Sequence, residues 1–141
     1  MGRSRVRGAV AGAVVSLIAT LTLGSAAHAA NIPVTNLGGD NSAGSLHAAM
    51  VAANANPVDK DTITFAAGLT GVIELTDDLP VLTGPVTITG PGSDKVTIDG
   101  FVVVNERMFQ TDKDLTLTGL SLRKGANDNG GAISSTGADL V

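Results

Sequence analysis

Ile63-Thr64-Phe65 and Val86-Thr87-Ile88 are one apolar-polar-apolar triplet written twice, 23 positions apart. Ile73-Glu74-Leu75 leads after the same interval to Val96-Thr97-Ile98, and 24 positions later to Leu120-Ser121-Leu122. Phe109 leads to Ile133 across 24 positions. Alternation of this kind is the period of a strand with one buried face. Recurrence at an interval in the twenties is the pattern of stacked coils, each covering its neighbour's core. The expected strands are Thr62–Phe65, Val72–Leu75 and Leu79–Leu82, then Val86–Thr89, Val96–Asp99 and Arg107–Gln110, then Leu115–Thr118, Leu120–Arg123 and Gly131–Ser134. Glycines and prolines fall between them, as at Gly84-Pro85 and Gly90-Pro91-Gly92, where turns need them. One interval is longer: Val86 to Leu115 is 29 positions. The surplus falls at Phe101–Glu106, read as an insertion bulging from the second coil. A two-sheet sandwich is the competing architecture; the constant offsets favour coils.

The N-terminal end has a different logic. Arg3, Arg5 and Arg7 precede an uncharged run from Ala9 to Leu23. Ala27 and Ala29 then meet the small-x-small rule, so residues 1–29 read as a signal peptide cleaved near Ala29. That reading places the protein outside the cell or on its surface, with no membrane span left after cleavage. Asn31 to Asn36 reads as a short leading strand. Ser45 is placed to cap a helix from about Leu46 to Ala55. Leu46, Ala49, Met50 and Ala53 share its apolar face, and Asn56-Pro57 ends it. Residues 30–61 are therefore expected to cap the first coil, and residues 62–141 to form the coils.

Composition excludes several classes of function. The chain has 9 Lys and Arg against 13 Asp and Glu, a net charge of −4. Loss of the three leading arginines would make it more acidic still. Nucleic acids and anionic membranes call for the opposite sign. With no cysteine, neither a thiol nucleophile nor a disulfide is available. With no Trp or Tyr, an aromatic platform for stacking sugars is weakly supported.

Several stretches resemble secreted right-handed parallel β-helix proteins of the pectin-lyase-like superfamily. Asp61-Thr62-Ile63-Thr64-Phe65-Ala66-Ala67-Gly68-Leu69-Thr70-Gly71 resembles their opening strands. So do Val86-Thr87-Ile88-Thr89-Gly90-Pro91-Gly92 and Lys95-Val96-Thr97-Ile98-Asp99-Gly100. Gly44-Ser45-Leu46-His47-Ala48-Ala49-Met50 is similar to the helix known as the CSLREA motif, and Gly130-Gly131-Ala132-Ile133 to repeats of polymorphic outer-membrane proteins. The match departs at the motif's cysteine, which is missing, and at its arginine and glutamate, where His47 and Ala48 stand. The resemblance implies an all-β fold: a right-handed parallel β-helix of about three coils with an N-terminal capping helix. It implies a non-catalytic adhesin-like role in surface display, with a carbohydrate or cell-surface ligand. The alternative it leaves is the remnant of a polysaccharide lyase or hydrolase.

No catalytic, cofactor-binding or metal-ligating residue is assigned from the sequence. His47 is the one histidine after Ala29, and it reads as an exposed helix side chain. Asp77, Asp78, Asp112 and Asp114 sit in turns, the last two flanking Lys113. Asp99 and Arg123 fall on outward positions of adjacent coils and read as a cross-strand ion pair. Ala126-Asn127-Asp128-Asn129-Gly130-Gly131 offers oxygens of a kind calcium uses, but Asn and Asp serve turns equally well. Leu140, 25 positions after Leu115, should open the first strand of a fourth coil. The sequence stopping there reads as a truncated product, with self-association through an open final coil as the competing idea.

Overall fold

Apolar residues at every second position draw the strands together face inward. In the computed structural model, residues 28–100, 107–125, 131–137 and 139–141 are described. Most of the expected signal peptide (residues 1–27), the expected insertion at 101–106 and the Asn/Asp-rich stretch 126–130 lie outside the described residues. The strands are β1 (Asn31–Val34), β2 (Asp61–Phe65), β3 (Gly71–Glu74), β4 (Val86–Thr89), β5 (Val96–Asp99), β6 (Phe109–Thr111), β7 (Leu115–Thr118), β8 (Ser121–Arg123) and β9 (Ile133–Ser135). The one described helix, α1, spans Leu46–Asn54.

The strands pair in three parallel sheets ordered β1-β2-β4-β7, β3-β5-β8 and β6-β9. Ile63, Ile88 and Leu117 stand in line across the first sheet. Ile73, Ile98 and Leu122 do the same across the second, and Phe109 meets Ile133 in the third. These columns join Leu75, Leu79, Leu82 and Met108 in one hydrophobic core. Each fully buried Ile or Leu side chain contributes about 1.5–3 kcal/mol relative to an exposed one.

The helix forms where expected, for the expected reasons. Ser45 lies in extended backbone, and its hydroxyl accepts a 3.1 Å hydrogen bond from the Ala48 N–H. Leu46, Ala49, Met50 and Ala53 are the buried face, which packs against β1 and β2. At the far end the Asn54 carboxamide donates to the Val81 carbonyl at 2.8 Å and accepts from the Thr83 N–H at 2.9 Å. The helix is thereby tied to the crossing between β3 and β4.

Two expectations are corrected. The first is the fold class. The described residues make separate parallel sheets of four, three and two strands with one helix, and they do not close a solenoid. The architecture is a small mixed α/β-like domain rather than an all-β right-handed parallel β-helix of three coils. The third face is the reason. Leu79–Leu82, expected as a strand, gives only a bridge from Leu82 to Thr111, because Pro80 has no N–H to offer a ladder. The expected strand at Arg107 begins only at Phe109.

The second correction is the register. Ile63 pairs with Ile88 and Ile73 with Ile98, an interval of 25 rather than 23. Strand β2 starts at Asp61, opposite Val86. A shift of two residues preserves which side chains face inward, so the core survives the correction. Asp61 then occupies an inward position and is buried, its carboxylate accepting a 2.7 Å hydrogen bond from the Ala30 N–H.

Candidate functional site

The outer face of the four-stranded sheet is built by the residues between the core columns. Asn31, Thr62, Thr87 and Thr116 form one row across the strands, and Pro33, Thr64, Thr89 and Thr118 form the next. Six threonines thus stand in two registered ranks, with no charged residue among these eight positions. Neighbouring strands lie about 4.8 Å apart, and alternate residues along a strand about 6.6 Å apart. The Thr64 hydroxyl donates to the Asn31 carboxamide at 2.9 Å, across the two strands nearest the edge. The hydroxyls of Thr62, Thr87, Thr89, Thr116 and Thr118 make no hydrogen bond to another described residue. Thr89 and Thr118 are exposed and the others half-buried. Pro33 on the outer strand removes an N–H from the sheet's edge, a device that discourages further strand pairing.

A second feature lies over the two-stranded sheet. Gln110 and Ser134, paired across β6 and β9, line a cleft of about 190 Å³ with Arg107, Asp112, Val81 and Thr136. The Arg107 Nε is buried and has no hydrogen-bond partner. The Thr111 hydroxyl at the cleft wall is occupied, donating to the Lys113 carbonyl and accepting from the Lys113 N–H at 2.9 Å. The cleft is smaller than the roughly 300–1,000 Å³ of ordinary ligand pockets.

The residues weighed from sequence do not converge. Asp77 and Asp78 are exposed on the crossing between β3 and β4. Asp112 pairs with its neighbour Lys113 at 3.3 Å, and the Asp114 carboxylate accepts from the Asp139 N–H at 3.3 Å. Among the described residues, no group of three or more His, Asp or Glu side chains is placed to hold a metal ion. The Asn/Asp turn considered for calcium lies largely outside the described residues. His47 sits in the first turn of α1, and its Nδ1 is buried without a hydrogen-bond partner. Asp40 is held below its ordinary carboxylate range, first by the Ser42 hydroxyl and then by the Ser42 N–H, with a smaller contribution from His47.

The expected Asp99–Arg123 ion pair is corrected. The two residues are strand partners as expected, but Asp99 is buried rather than outward. Its carboxylate is met by Lys124, at 3.0 Å. Lys124 has φ 57°, the one described non-glycine residue in left-handed backbone. The left-handed residue directly follows β8, and it is this residue rather than Arg123 that makes the contact.

No family model matches this chain, and no curated protein or solved structure does. Function must be argued from the geometry of its own residues. Among the described residues no helix is long and apolar enough to cross a membrane.

Proposed function

We propose that this is a non-catalytic domain of the cell exterior that holds a carbohydrate or other hydroxyl-bearing surface ligand in adhesion or surface display. The single observation that carries the reading is the pair of threonine ranks, whose registered hydroxyls, all but that of Thr64 without a hydrogen bond to another described residue, lie on an uncharged sheet face. A row of neutral hydroxyl groups with methyl groups between them matches a polysaccharide, which alternates hydroxyls with C–H faces. Hydrolysis of a sugar chain would instead call for paired carboxylates at the bond to be broken, and the described acids are dispersed. The acidic balance keeps nucleic acid out of the partner list. The resemblance to secreted surface proteins and the export-like leader support the same location.

The test is co-sedimentation of the exported protein with insoluble cellulose, chitin and bacterial cell-wall sacculi. Wild type should sediment with at least one of them. Thr87→Glu combined with Thr116→Glu, which places charge at the centre of one rank, should abolish that binding while leaving the circular dichroism spectrum intact. Absence of binding to all three, or binding that survives both substitutions, would overturn the proposal.

A further inference from the structure

Asp61 is 2% exposed, and none of the ion pairs among the described residues includes it. A buried carboxylate without a cation is costly, because burial removes the water that would solvate its charge. What it has is the backbone N–H of Ala30, at 2.7 Å. Ala30 is also held from its other side, where its carbonyl accepts the Thr62 N–H at 2.8 Å. Ala30 is the residue that cleavage after Ala29 would make the first of the chain. His28, Ala29 and Ala30 are exposed, so the bond is open to a peptidase.

We propose that Asp61 is the receptor for the N-terminus created by export processing. The inference rests on the reading of residues 1–29 as a cleaved leader. Water adds to the Ala29 carbonyl carbon and the Ala29–Ala30 peptide bond breaks. The departing segment leaves as a carboxylate, and the Ala30 nitrogen takes up protons as an ammonium. The same nitrogen that donated one neutral hydrogen bond to Asp61 now carries the positive charge that the buried carboxylate lacked. Charge-assisted hydrogen bonds are roughly twice as strong as neutral ones. Processing thereby fastens the edge strand β1 to β2, and the mature form is more stable than the precursor.

The experiment uses the full chain expressed with its own leader in an exporting bacterium. Mass spectrometry of the exported product should give Ala30 as the first residue. Its α-amine should react with an acylating reagent at least roughly tenfold more slowly in the native protein than in urea, since hydrogen bonds to charged groups hold by about that factor or more. Asp61→Asn should restore fast acylation. If that variant does not fold, wild type acylated in urea and then refolded serves instead, and it should unfold with a roughly tenfold larger equilibrium constant. A first residue other than Ala30 would overturn both the leader reading and the latch. A first residue Ala30 whose amine reacts equally fast in both states would overturn the latch alone.

Discussion

The Lys124 ammonium lies 3.0 Å from the buried Asp99 carboxylate, and Lys124 reaches it from left-handed backbone at φ 57°. The contact therefore draws on two opposed effects. The Lys124 side chain is about half exposed but that of Asp99 is only 10% exposed, so the lysine offsets the desolvation of a buried carboxylate. The left-handed conformation costs a residue bearing a Cβ about 1–2 kcal/mol. Lys124→Gly and Lys124→Ala both take the cation from a buried carboxylate and should both be less stable than wild type in urea unfolding, and Lys124→Ala, which keeps the strain, should be less stable than Lys124→Gly by about 1 kcal/mol. Equal midpoints for the two variants would remove the strain argument.

Gly39 and Gly131 offer a sharper contrast. A Cβ at Gly39 would land on the Glu74 carbonyl, a backbone atom with no freedom to move aside, whereas one at Gly131 meets nothing within 4 Å. Gly39→Ala is expected to destabilise by more than about 2 kcal/mol. Gly131→Ala should stay within about 0.5 kcal/mol of wild type. Thermal melts of the two proteins check both expectations.

Asn54 is a clamp with separable halves. Its amide donates to the Val81 carbonyl while its oxygen accepts from the Thr83 N–H. Asn54→Ala should cost about 1–2 kcal/mol, and Asn54→Asp, which keeps the acceptor, should cost less than Asn54→Ala. Hydrogen exchange at Thr83 reports the site directly: its amide should lose protection in the alanine variant and keep it in the aspartate one.

Asp40 fixes a pH dependence. Its carboxyl titrates below the ordinary value because the Ser42 hydroxyl and then the Ser42 N–H bond to the charged form. A depressed folded value means that the stabilisation is fully present above the unfolded value, near 3.9. It is lost as pH falls through the lower folded value. Ser42→Ala should move the Asp40 midpoint upward, toward 3.9, as read by carbon-13 NMR of the carboxyl group. An unmoved midpoint would contradict the assigned cause.

The orphaned Arg107 Nε leads to an unusual expectation for an arginine. Leaving a buried donor unsatisfied costs about 1–3 kcal/mol. Arg107→Met keeps the aliphatic stem and removes the donor, so the variant should be at least as stable as wild type in urea. A loss beyond about 1 kcal/mol would mean that the guanidinium is satisfied in solution.

These features differ in how far the sequence discloses them. Helix α1 was legible because Ser45, an apolar stripe and Pro57 mark start, face and stop independently. Strand positions were legible from alternation. Their register was not, because a period of two matches Ile63 to Val86 as readily as to Ile88; only Asp61, aligned with Val86, distinguishes them. The Asp99–Lys124 contact was hidden for a related reason. Alternation places Asp99 outward, and nothing in Arg123-Lys124 announces that the backbone turns left-handed at the second residue. The incomplete third face was signalled by Pro80, whose missing N–H outweighs the apolar pattern of Leu79 to Leu82. The threonine ranks lie in Thr62, Thr87 and Thr116, yet they become a single surface only once the register is known.

All the strand pairs are parallel, and their partners lie from 24 residues apart, as Thr97 and Ser121, to 31, as Asn31 and Thr62. No pair of described strands is a hairpin, so no sheet contact is available to a short piece of chain. Each pairing must close a loop of similar length, and the entropic cost differs little from one to the next. The kinetic consequence is slow folding, on the millisecond-to-second scale of non-local β topologies. Among the described elements the helix is the one whose hydrogen bonds are local, and at nine residues it too needs the sheet to pack against. A chain threaded through an export channel would stay free of sheet until a span of that length had emerged, and β2 is the first strand that can then find a partner, in β1.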